Sequence, residues 1–320
     1  MSPHLVDPPV SGRCRVAVFA PSPVVTVTIE RGAAGGSEIH FHGGGQGFWV
    51  ARMAVVLGAD VSLCVPLGGE TGRVLRGLLE QEGIGVRSVT TQGWNGAYVH
   101  DRRSGERVTV AETPSPELLR HEVDELYGIA VAVGLDADVT LLTGPQREGV
   151  LPGDVYRRLA SDLQDNGRTV LADLTGTALA GALEGEIEIV KLSYHELAAE
   201  GYAASSEPPD IARGMRALRA KGARTVAISR GPEPLLALVG DEVFEFTGPR
   251  FTPLDPRGSG DSMFAAMGVG VGSGLGLHDA IRMAVAAGAL NATRRGLGSG
   301  HRPEIELIAR HIEAHVVSCA

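Results

Sequence analysis

Residues 254–268 read LDPRGSGDSMFAAMG, and here a lone carboxylate, Asp261, stands directly behind the small-residue turn Gly258, Ser259, Gly260. The apolar small-residue run after Ser262 spells a helix, which puts that turn at a helix N-terminus. Unbonded N–H groups and the helix dipole favour negative charge there, so the turn is suited to an anion. Asp261 itself reads in two ways. It is a capping residue worth about 1 kcal/mol, or it is a base for a group reacting beside the anion.

A second glycine-rich loop, FHGGGQGFWVARMA (41–54), also leads into a helical run. It departs from G-x-G-x-x-G, and no G-K-[ST] follows, so neither the dinucleotide nor the P-loop pattern holds. Alone it reads as a strand–helix turn. His40 and His42 alternate in EIHFH and share a strand face. With no third ligand in view, they read as the polar face of a strand rather than a metal site.

The rest of the chain limits what such residues can act on. It has 320 residues, 43% hydrophobic and 21% charged, the profile of a soluble globular protein with one large core. A net charge of -9 argues against nonspecific binding to nucleic acid or to an anionic membrane. A protein this acidic must gather positive potential locally to handle an anionic substrate. Only two lysines, Lys191 and Lys221, are available, and arginine supplies the other positive charges. Cys14, Cys64 and Cys319 are odd in number and far apart, which gives no metal spacing and no disulfide framework. Residues 1–13, MSPHLVDPPVSGR, lack an apolar signal core and read as a disordered leader. A cytoplasmic protein with reduced thiols is expected.

Strand-like and helix-like runs alternate from residue 14 to 320. RVAVFA (15–20), VSLCVPLG (61–68), VTLLTG (139–144), TVLADL (169–174), IEIVKL (187–192) and TVAIS (225–229) read as strands. Most lack polar alternation, as buried parallel strands do. FWVARMAVVLGA, GRVLRGLLEQEG, PGDVYRRLASDLQDNG and IARGMRALRAKG have helical spacing and end near glycine. The pattern predicts a single three-layer α/β/α domain, doubly wound around a mostly parallel sheet. Segments 24–42 and 94–111 instead alternate polar and apolar residues around turns at AAGG and RRSG. They predict a small inserted antiparallel β-sheet, a lid over the cleft or a subunit interface.

Five segments, in order, resemble the ribokinase-like (PfkB) carbohydrate kinases, and the 1-phosphofructokinase branch in particular. GGGQGFWVARMAVVLGADVSLCVPLGGETG is similar to the family's N-terminal signature, and LLTGPQREGVLPGDVYRRL to its central strand and helix. LADLTGTAL resembles D-x-S/T-G-x-A-L, KLSYHEL resembles K-P-N-x-x-E-L, and DPRGSGDSMFAA resembles the G-[AS]-G-D anion-hole motif. The resemblance implies an ATP-dependent phosphotransferase acting on the hydroxyl of a small molecule, a sugar or sugar-like alcohol. Asp261 would be its base, and Gly258, Ser259 and Gly260 would form its anion hole. Around the nucleotide it implies Ser229 and Gly231 of ISRGPEP, Lys191 and Ser193 of KLSYHEL, and Asn291 beside the adenine. Glu196 would hold Mg2+ through water. Arg257, where the family has a small or apolar residue, reads as a phosphate contact or as an ion pair.

Departures cluster on the substrate side. The branch opens with N-P-A-x-D, whereas APSPVVTVT puts Ser22 at the Asn and Thr26 at the Asp. The loop G-G-K-G-x-N becomes Gly44, Gly45, Gln46, Gly47, Phe48, Trp49, so lysine is replaced by Gln46 and asparagine by Trp49. A lid arginine expected near Asn95 is missing. Gln46 removes a full positive charge from the position that reads a phosphate. Trp49 offers a stacking face and one N–H donor, or is a core residue of its helix. These changes favour a neutral sugar, a nucleoside or another ring-bearing alcohol over a phosphosugar. A competing reading is a nucleotide- or sugar-binding sensor of the same fold without turnover. The exposed edges of the lid make a lid-to-lid homodimer the expected assembly.

Overall fold

The computed structural model describes residues 12–33, 35–294 and 296–318. Most of the expected leader, residues 1–11, and Cys319 lie outside the described residues. In chain order the first elements are β1 (Arg15–Phe19), β2 (Val24–Arg31), β3 (Ser37–Gly44), α1 (Gln46–Val56), β4 (Asp60–Gly68), α2 (Gly69–Gln81) and β5 (Gly85–Thr91). Then come β6 (Gly96–Asp101), β7 (Val108–Thr113), α3 (Arg120–Asp136), β8 (Val139–Thr143), α4 (Gly153–Asp165), β9 (Val170–Asp173), α5 (Gly176–Glu184) and β10 (Ile187–Ser193). The last are α6 (Tyr194–Ala199), α7 (Pro208–Ala220), β11 (Ala223–Arg230), β12 (Glu233–Val239), β13 (Glu242–Thr247), α8 (Ser259–Gly272), α9 (Leu277–Ala292), α10 (Arg302–Ala309) and β14 (Glu313–Val316).

Ten strands form the main sheet in the order β14-β13-β12-β11-β10-β9-β8-β1-β4-β5. From β11 to β5 every neighbouring pair is parallel, and β12, β13 and β14 add an antiparallel extension. Successive strand residues point to opposite faces. Val18, Leu141 and Ile189 enter one core with Met53 of α1 and Phe264 of α8. Phe19, Leu142 and Val190 enter the other with Leu126 of α3, Tyr156 of α4 and Met215 of α7. Burial on both faces explains why these strands are continuous apolar runs, each buried large side chain contributing roughly 1.5–3 kcal/mol. Three layers result, as the alternation predicts.

The chain leaves β1 toward β4 and β5 on one side and returns to β8 on the other. Between β1 and β8 the winding reverses, and in such sheets the crevice beyond the strand C-termini is where ligands bind.

The second sheet has the order β3-β2-β6-β7. It contains both segments expected of a lid, with one correction. Its two hairpins are antiparallel, but β2 and β6 pair in parallel because β4, α2 and β5 intervene between them. Register places Thr26 beside His42 and Tyr98, and Thr28 beside His40 and His100, on one polar face. On the opposite face lie Ile29, Ile39, Phe41 and Val99. Among the described residues no helix is long and apolar enough to cross a membrane.

Candidate active site

Gly258 caps α8 with φ 73°, a left-handed conformation that disfavours any residue with a Cβ. A Cβ there would also lie 2.9 Å from Leu297. The first bond within the helix runs from the Ser262 N–H to the Gly258 carbonyl at 2.9 Å. The N–H groups of Gly260 and Asp261 therefore have no acceptor within the helix. Gly260 is constrained by a different neighbour. A Cβ there would come within 2.8 Å of the Lys191 Nζ, so glycine lets the ammonium lie against the turn.

Lys191 is buried near the C-terminal end of β10 and pairs at 2.9 Å with Asp173, the last residue of β9. Burial opposes its charge, but the carboxylates of Asp173, Glu196 and Asp261 outweigh burial and raise its pKa. Asp261, half-buried, has its carboxyl pushed up to about 7. Desolvation is the main cause, followed by the negative charge of Asp173; Lys191 pulls the other way and Glu196 adds to the rise. One cation thus serves three carboxylates at the floor of the crevice. A carboxyl held near neutral pH beside free N–H groups can exchange a proton with a reacting hydroxyl.

Glu196 and Ser193 sit at the start of α6 in a reciprocal capping box. The Ser193 N–H donates to Glu196 Oε2 at 2.6 Å, and the Glu196 N–H donates to Ser193 Oγ at 3.2 Å. Glu196 Oε1 takes no part in the box. Ser229 pairs in register with Ser193 at the ends of β10 and β11, and Gly231 takes φ 63° in the turn after β11.

The substrate-loop residues are placed less uniformly. Gln46, at the first turn of α1, accepts from the Gly144 N–H at 2.7 Å and donates to the Asp173 carbonyl at 3.2 Å. It ties the ends of β8 and β9 together beside the buried charges. Gly45 caps α1, and a Cβ on Gly44 would lie 2.6 Å from Thr26 Oγ1, so the loop and Thr26 are adjacent. Trp49 meets Phe48 edge-on at 4.6 Å and packs against the core. Of its two readings, the structure supports packing.

Two expected contacts need correction. Asn95, expected at the substrate, is 5% exposed. It accepts from the Gly68 N–H and donates to the Pro23 and Pro66 carbonyls, bracing the lid where it joins the body. Asn291, expected at the adenine, is fully buried. Its amide donates to the Arg257 carbonyl at 2.8 Å and accepts from the Ser299 N–H at 3.2 Å, holding the loop before the anion turn. Arg257 grips Asp255 with two bonds, of 2.8 Å from Nε and 2.5 Å from Nη2.

The sequence reading missed Asp173 as a site residue, although it lies in the segment LADLTGTAL. Its signal was an aspartate ending a buried apolar strand. Asp255 and the lid arginines Arg102 and Arg107 were missed as well, because only folding brings them together.

Residues 25–304 match the family described as pfkB family carbohydrate kinase. The chain belongs to that family. This pfkB kinase is 29% identical over 260 residues to the ATP-dependent 6-phosphofructokinase isozyme 2 of Escherichia coli, covering 80% of this chain and 83% of the relative. It is 28% identical over 284 residues to the 1-phosphofructokinase of Haloferax volcanii, covering 86% and 87%. Its fold superposes on the Escherichia coli phosphofructokinase-2 solved in complex with potassium with a TM-score of 0.83 at 25% identity, covering 93% of this chain and 98% of the other. The ribokinase-like architecture expected from the alternation and the resemblance is the one observed.

Proposed function

We propose that this pfkB kinase moves the γ-phosphoryl group of ATP to a hydroxyl of a sugar or sugar-like molecule, with Asp261 as base. The reading rests on one observation: the Asp261 carboxyl stands in the first turn of α8, where the Lys191 ammonium lies against Gly260. The acceptor oxygen forms its bond to the γ-phosphorus while the bond from phosphorus to the β-γ bridging oxygen breaks. The acceptor proton passes to an Asp261 carboxylate oxygen, and ADP leaves with the bridging oxygen. The N–H groups of Gly260 and Asp261, with the Lys191 ammonium against Gly260, face the charge that shifts during transfer.

Nucleotide phosphates suit this turn because its donors are otherwise unspent. Ser193, Ser229 and Gly231, at the ends of neighbouring strands, would line the nucleotide. Among the described residues no group of three or more His, Cys, Asp or Glu side chains could hold a metal. Mg2+ bound with the nucleotide would take most ligands from phosphate and water, and Glu196 would hold it through water with Oε1. It would neutralise phosphate charge. Thr26, Gly44 and Gly45 form the part of the lid–loop junction where the acceptor would sit. The lid's outer face, with Ile39 61% and Phe41 58% exposed, is read as a homodimer interface because apolar residues cluster on it.

ADP release with Mg-ATP, measured across neutral sugars, phosphosugars and nucleosides, tests the reading. Asp261→Asn keeps the shape and loses the basicity, so turnover should fall by about 10²–10⁴-fold while ATP binding by calorimetry persists. A variant with wild-type turnover would remove Asp261 from the mechanism. ATP binding without turnover on any acceptor would favour the sensor.

A further inference from the structure

Three arginines converge where the tip of the lid hairpin meets the loop before the anion turn. Arg102 and Arg107 come from the β6–β7 connection, and Arg257 precedes Gly258 in the body. We propose that Arg102, Arg107 and Arg257 form a receiving site for a phosphate group of one of the two reactants, completed only when the lid hairpin lies on the body. The proposal rests on the kinase reading for the identity of the reactants; the site itself rests on the cluster.

The carboxylates present do not balance these charges. Asp255 is buried and is held by Nε and Nη2 of Arg257, with Arg102 Nη2 farther off at 3.6 Å. Arg102 also reaches the partly exposed Glu30 at 3.6 Å. Arg107 spends its hydrogen bond on the neutral ring of His100. Because a guanidinium only donates, His100 Nε2 must accept, which leaves the ring proton on Nδ1 for Thr109 Oγ1 at 3.2 Å. That geometry requires an uncharged imidazole. Burial, then Arg107, Arg257 and Arg102, drive the His100 pKa down to about 4, and burial with the charges of Arg257 and Arg102 lowers that of Arg107. Three guanidiniums thus share the carboxylates of Asp255 and Glu30 in a protein of net charge -9.

Like charges brought together at a partly dry junction repel, and a dianion with three acceptor oxygens relieves that repulsion. Guanidinium forks match phosphate oxygens. The position also fits. Asn291 fixes the Arg257 carbonyl and approaches Ser259 Oγ at 3.5 Å, so the arginine and the transfer site are held in one rigid loop. Two of the three guanidiniums arrive on the lid, so phosphate binding and lid closure would favour each other. The charge that Gln46 no longer supplies is provided from another direction, which readmits the phosphorylated acceptors that the loop sequence disfavours.

Calorimetric titration of ATP, inorganic phosphate, fructose, fructose 1-phosphate and fructose 6-phosphate tests the site in the wild type, Arg107→Gln and Arg102→Gln/Arg257→Gln. At least one phosphate-bearing ligand should lose tenfold or more in affinity in both variants, and fructose should change less than twofold. Arg107→Lys should recover part of the loss. Loss confined to the sugar phosphates assigns the site to the acceptor, and loss for ATP assigns it to the nucleotide. Changes under twofold for every ligand, in variants that melt as the wild type does, would overturn the proposal. Arginine-dependent phosphate binding without ADP formation on any acceptor would leave the site standing and remove the kinase reading. ADP formation with arginine-independent binding would do the reverse.

Discussion

The floor of the crevice and the lid above it handle charge in opposite ways. On the floor, Asp173, Lys191, Glu196 and Asp261 are brought together by strand ends and helix starts, and one buried ammonium serves the carboxylates. At the tip of the lid hairpin, residues 101–107, three arginines stand with two carboxylates, and most of the tip is exposed. On the floor the charged groups depend on one another. Residues that match the family's motifs lie on the floor; of the departures, Gln46 borders the floor through Gly144 and Asp173, Trp49 packs against the core, and Asn95 braces the joint of lid and body.

The sharpest way to break this contrast is to remove the one cation of the floor. Lys191→Met leaves Asp173 buried without its partner, which typically costs about 3–5 kcal/mol. Denaturant unfolding should show that loss, together with loss of turnover. A loss below about 1 kcal/mol would mean that the carboxylates simply take up protons, and that the floor is less tightly coupled than its geometry indicates.

A smaller effect should appear in the pH profile. With Asp261 pushed up to about 7, its carboxyl is half-protonated near neutral pH, so with Asp261 as the proposed base kcat/KM should climb with pH through that region. Asp173→Asn deletes the largest carboxylate contribution to the rise and leaves Lys191 in place, so the limb should move to lower pH. A limb that stays put would show that desolvation alone sets Asp261. The stability sign is opposite to the activity sign. The folded value exceeds the ordinary 3.8, so ionising Asp261 weakens the fold as pH rises between the two.

What the sequence shows of this molecule follows the range of its signals. The strands RVAVFA, VTLLTG and TVLADL are apolar over their whole length because both faces are buried, and they are legible without a partner. The lid is legible from TVTIE and EIHFH because its two faces meet different surroundings. By contrast β12, PLLALV within Glu233–Val239, is an apolar run with no period to separate strand from helix. At the site, G-S-G-D announces itself because backbone conformation demands glycine at Gly258. Asn95, near where the family's lid arginine is expected, and Asn291 on the late helix are amides, and where an amide points depends on carbonyls distant in sequence. The same limit hides the meeting of Arg102 with Asp255 and of Arg107 with His100.

The mildest test concerns the lid alone. Ile39 and Phe41 stand on its outer face, away from the polar row of Thr26, Thr28, Tyr98 and His100. Phe41 is 58% exposed, so Phe41→Ser should change the stability of the single chain by no more than about 0.5 kcal/mol. If two lids meet through this face, sedimentation at micromolar concentration should shift from dimer toward monomer. A chain that is monomeric before the substitution would leave the outer face unpartnered, and the lid would then act as a cover for the crevice only. A dimer that survives the change would place the interface elsewhere. In either case the floor, which contacts neither residue, should keep its pH profile, and a profile that moved with Phe41 would show that lid and floor are not the separate devices their charges suggest.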